Sequence, residues 1–127
     1  MNTRTRVEPH SENWDQALAA PIGSVVNLVT MLVPPRALMV IRGFGNYLGL
    51  VANWGAVRWD FLKNGVPIYP HFAIRSQMGY SAQPRAIGRV EIEGGCLFVL
   101  RVTREALGGG LDPTAGVALD WDMEYTS

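Results

Sequence analysis

At 127 residues, with 48% hydrophobic and 17% charged positions, the chain has the size and composition of one globular domain that can bury a core without disulfides or metals. Eleven basic residues balance eleven acidic ones, so no charge footprint points to nucleic acid or anionic lipid. The lone cysteine, Cys96, excludes an intrachain disulfide, and its apolar surroundings predict a buried small hydrophobe.

Residues 1–23 are polar, carry Pro9 and Pro21, and predict an N-terminal arm outside the main domain, which then runs over 24–127. Ser11 can cap a short helix from Glu12 to Ala20 that ends before Pro21. Trp14 and Leu18, four apart, would share one side of it; the arm either packs on its own domain or stays disordered, or else these two dock on a neighbouring copy or partner. No hydrophobic signal core opens the chain, which argues against secretion by that route.

From Ser24 to Val33 the texture is β-branched and apolar, as in a strand buried on both faces. This stretch contains Asn27 and Thr30 and falls far short of the ~20 residues of a membrane helix. Pro34-Pro35 breaks it, and Arg36 to Phe44 resumes as a second strand. Gly43 to Gly55 reads as a glycine-spaced loop carrying Phe44, Tyr47, Leu48, Leu50, Val51 and Trp54.

Asn64-Gly65 is the dipeptide best suited to a two-residue type I′ turn, because both central residues need positive φ. It sets Lys63 against Val66, Leu62 against Pro67, Phe61 against Ile68 and Asp60 against Tyr69. Val57, Trp59, Phe61 and Ile68 then face the core, and Arg58, Asp60 and Tyr69 face away. The ladder should stop at Pro70, with a long connection to Pro84 and a short strand possible within it at 71–75. Ile87 to Arg104 predicts a second hairpin turning at Gly94-Gly95. Gly108 to Pro113 is a loop, and the final strand sets Val117, Leu119, Trp121, Met123 and Tyr125 on the core face. A one-residue slip would expose all five, so that register is firmly set.

Seven or eight short strands, frequent turns and no long helical period predict an all-β fold. Too many strands are apolar on both sides for an open sheet. The expectation is a two-sheet antiparallel β-sandwich, jelly-roll or immunoglobulin-like, with an extended N-terminal arm.

Chemical constellations are weak. Gly43-Phe-Gly-Asn-Tyr-Leu-Gly49 opens like a dinucleotide fingerprint, but no helix follows to supply oriented N–H groups. His10 and His71 are far apart, with neither a cupin-type histidine cluster nor a histidine soon after Cys96. Asp120, Asp122 and Glu124 share one face of the last strand, successive members ~6.6 Å apart; they read as a solvated face or as partners of Arg58 or Arg101 before a calcium site. Ser76 and Ser81 near His71 and Asp60 lack a nucleophile elbow, and a carboxylate pair drawn from Asp60, Asp112 and Asp120 has no local feature that would raise one pKa. The expectation is a protein that is not an enzyme and needs no cofactor or metal.

Several pieces, taken in order, resemble small β-sandwich proteins of tailed-bacteriophage virions, the capsid-decorating, head-fibre and neck or tail-adaptor subunits. They are Val33-Pro-Pro-Arg-Ala-Leu-Met-Val-Ile41, Val57 to Pro70 with its Asn-Gly-x-Pro turn, Val90-Glu-Ile-Glu-Gly-Gly-Cys-Leu-Phe-Val99 and Leu119-Asp-Trp-Asp-Met-Glu-Tyr125. Such proteins share no catalytic residues. The resemblance implies a virion protein that forms trimers or symmetric rings and docks on capsid, portal/neck or tail proteins. The candidate contacts, read from the residues themselves, are Trp14, Leu18, Phe44, Tyr47, Leu48, Leu50, Trp54 and Tyr80. The alternative expectation is a carbohydrate-binding module that stacks surface glycans on Tyr47, Trp54 or Tyr80.

Overall fold

The computed structural model describes residues 5–18, 22–48, 57–74, 84–105 and 114–126. The strands are β1 (Thr5–Ala17), β2 (Val25–Leu32), β3 (Ala37–Leu48), β4 (Val57–Lys63), β5 (Val66–Ile74), β6 (Arg85–Glu93), β7 (Leu97–Arg104) and β8 (Thr114–Thr126). They form two four-stranded antiparallel sheets, sheet 1 in the order β1-β8-β3-β6 and sheet 2 in the order β2-β7-β4-β5. This is the strand order of a jelly roll, which separates the two topologies the sequence leaves open.

The turn at Asn64-Gly65 forms with φ of 50° and 82°, and Lys63 pairs with Val66 and Leu62 with Pro67 as expected. The register then slips, so that Phe61 pairs with Tyr69 rather than Ile68. Tyr69 therefore joins the core side, its ring 5.4 Å from that of Phe61. Pairing breaks again after Tyr69 and resumes at Trp59–Ile74, and β5 continues through the proline at which it was expected to end.

Phe61 sits at the centre of the core, edge-on to Phe44 from sheet 1 at 5.0 Å and to Phe98 at 6.0 Å. Trp59 and Trp121 are buried between the sheets, and Val117, Leu119, Trp121 and Met123 line the core face of β8 as their alternation requires.

Four expectations are corrected. Residues 5–17 form neither a helix nor a detached arm; they are the 13-residue edge strand of sheet 1, paired with β8 along its whole length. Its inner face carries Glu8, His10 and Glu12, and a strand half-open to water needs no apolar alternation to mark it. Strand β2 is an edge strand with exposed residues on its outer face, not one buried on both faces. Strand β3 continues through Leu48 instead of ending in a loop at Gly43. Finally, Gly94-Gly95 does not close a hairpin: β6 and β7 belong to different sheets, and the turn carries the chain from one to the other. A Cβ on Gly94 would lie 2.7 Å from the Pro34 carbonyl oxygen, so this crossing needs glycine.

A bulge at Arg42 reverses the parity of β3, so that Ile41 and Phe44 both point inward while Gly43, Gly45 and Tyr47 point out. That shift determines what sheet 1 displays.

Candidate functional site

The register of sheet 1 arranges its outer face as rows read across β1, β8 and β3. The first row is Asp15–Gly116–Tyr47, the second Asn13–Ala118–Gly45, the third Ser11–Asp120–Gly43. In the first, the Tyr47 ring crosses Gly116 so closely that a Cβ there would lie 1.9 Å from Tyr47 Cε1. The Tyr47 hydroxyl donates to Asp15 Oδ2 at 3.2 Å. Burial, and then the hydrogen bond and charge of Asp15, hold the phenol above its ordinary pKa. In the third row Ser11 Oγ donates to Asp120 Oδ1, and a Cβ on Gly43 would meet Asp120 Oδ2 at 2.9 Å.

The second row holds only small residues on β8 and β3, so it lies lower than the Ser11–Asp120 pair beside it. The result is a depression of about 370 Å³ lined by Ser11, Asn13, Ala118 and Asp120, with Pro84 at its far end. Beyond it, Asp122 accepts from Arg42 Nη1 at 2.8 Å and Glu124 from Arg89 Nη2 at 3.3 Å. The three acidic residues of β8 therefore do share a face, but their partners are Ser11, Arg42 and Arg89, because Arg58 and Arg101 lie on sheet 2. Asp60 also lies there, bonded by Arg58 Nε at 2.8 Å, which separates it from Asp120 by the thickness of the sandwich. Among the described residues no group of three His, Cys, Asp or Glu could hold a metal ion, and no helix is long and apolar enough to cross a membrane.

Sheet 2 presents a different outer face. Leu32 of β2 pairs directly with Leu97 of β7, and they are 64% and 38% exposed. The adjoining row is Thr30–Val99–Leu62–Pro67, in which Val99 and Leu62 are buried and Thr30 and Pro67 exposed. The face then turns polar, with Arg101 Nε donating to Asn27 Oδ1 at 3.0 Å beside the Arg58–Asp60 pair. An apolar end and a hydrogen-bonded polar end thus share one surface.

The candidate contact residues divide sharply. Leu18 and Phe44 are fully buried and Leu48 packs against the core, so these three serve the domain itself. Trp14 is half-buried, 5.8 Å from the Trp121 ring, whose other neighbour is His10 stacked at 5.0 Å. Tyr47 alone of the set is placed on an outer sheet face; Leu50, Trp54 and Tyr80 lie outside the described residues. Sequence reasoning missed Ser11, Asn13 and Asp15 because it read them as the cap and first turn of a helix, and missed Leu32 because it took its strand as buried on both faces. No family model matches the chain, and neither does any curated protein sequence.

Proposed function

We propose that the protein is a non-catalytic assembly subunit whose docking surface is the apolar end of the outer face of sheet 2. The observation that carries this reading is the exposed Leu32–Leu97 pair, with the exposed Pro67 at the end of the next row. Two leucines opposite each other in water on a sheet face leave apolar area that association would remove, and a standard interface covers about 800 Å² per partner. The eight-stranded jelly roll supports it by fold analogy, since viral capsid domains use that architecture. With the resemblance to phage virion accessory proteins, the reading is a homo-oligomer, a trimer or ring, docked on capsid, portal/neck or tail proteins of a virion.

Mass in solution tests it. Light scattering at micromolar concentration is expected to report an oligomer, and Leu32→Asp combined with Leu97→Asp to convert it to folded monomer. A wild-type protein that is strictly monomeric at that concentration overturns the proposal, as does an oligomer indifferent to both substitutions.

A further inference from the structure

We infer that the depression on the outer face of sheet 1 binds an uncharged sugar, independently of any docking through sheet 2. Its volume, about 370 Å³, lies at the small end of the range of ligand sites. Its chemistry is mixed in the way a pyranose requires. The Asp120 carboxylate offers acceptors, and Ser11 takes only one of its oxygens. The exposed Asn13 amide both donates and accepts, so it can bridge neighbouring hydroxyls. The part-exposed Pro84 ring at the end of the depression supplies apolar surface for the C–H face of a sugar ring.

The parts are also held in place. Asp120 is tied to Ser11 on β1, and Asn13 stands on the same strand paired with β8, so the polar groups rest on paired strands rather than on loops. The charge pattern decides the ligand class. One and two rows away, Asp122 and Glu124 are neutralised by Arg42 and Arg89, whereas no cation among the described residues bonds Asp120. Asp15 and Asp120 therefore set a negative potential over the floor, which repels phosphate, sulfate and acidic sugars. Hydroxyl donors gain charge-assisted bonds to the same carboxylates.

Saturation-transfer NMR on the full chain tests this with methyl glycosides of neutral hexoses and N-acetylhexosamines, beside glucuronate, sialic acid and putrescine. At least one neutral sugar is expected to bind with a dissociation constant on the order of a millimolar, as a single ring on an open site allows. Acidic sugars should not bind. Asn13→Ala and Asp120→Asn, both on the surface of a paired sheet, should each weaken binding about tenfold, whereas Leu32→Asp on the opposite sheet should leave it unchanged. No neutral sugar binding, binding indifferent to both site variants, or binding of putrescine alone overturns the inference. Because Leu32→Asp separates the two faces, loss of assembly and loss of sugar binding are read independently.

Discussion

At the scale of single residues, glycine positions control what the outer face of sheet 1 displays. Gly116 has no room for a side chain because the Tyr47 ring occupies the space a Cβ would take. The ring in turn shields the glycine main chain from water, a cross-strand pairing in which each residue needs the other. Gly116→Ala is expected to destabilise by about 1–3 kcal/mol, the usual range for overpacking. Most of that penalty should vanish in a Tyr47→Ala background, where the clash is absent. A double-mutant cycle by urea denaturation checks the coupling, and two additive penalties would refute it.

At the scale of elements, β1 is the strand with the least apolar attachment. It is joined to β8 by main-chain pairing along 13 residues, but apart from Trp14 its side chains add little to the core, Leu18 lying just past its end. Its polar composition and Pro9 suit an edge that must not recruit foreign strands. Trp14 carries the packing toward its C-terminal end, so Trp14→Ala is expected to cost about 2 kcal/mol, below the range for a fully buried tryptophan. Hydrogen exchange of the variant should show β1 amides opening well before those of β4 and β7. Uniform loss of protection across both sheets would contradict this account of β1.

At the scale of the whole molecule, the two sheets are joined by a surface link as well as by the core. Lys63 of β4 donates to both carboxylate oxygens of Glu93 on β6, each at 3.1 Å. The Glu93 carboxyl is held below its ordinary pKa, first by its own backbone N–H and then by Lys63. A depressed folded-state pKa stabilises above the unfolded value of 4.5, and that contribution is lost as pH falls through the folded value. The expected outcome is a small fall in urea midpoint on acidification that is shallower in Lys63→Met. Identical pH profiles for the two proteins would show that the link contributes nothing measurable, as exposed pairs often do.

The sequence by itself determined the all-β class, the two-sheet sandwich, the Asn64-Gly65 reversal and the core face of β8. Each of these is written in local terms: a dipeptide that tolerates positive φ, or five large side chains at every second position. Only the tertiary structure decided that residues 5–17 form an edge strand, that β6 and β7 lie in different sheets, and that Arg42 bulges so that Tyr47 points outward. Alternation states that a strand has an apolar face but not which strand lies beside it. Gly94-Gly95 suits a hairpin as well as a crossing, and a polar stretch suits a helix as well as an edge. Those choices rest on distant hydrogen-bond partners, such as Ser11 with Asp120 at a separation of 109 residues, and both candidate surfaces are products of that long-range pairing.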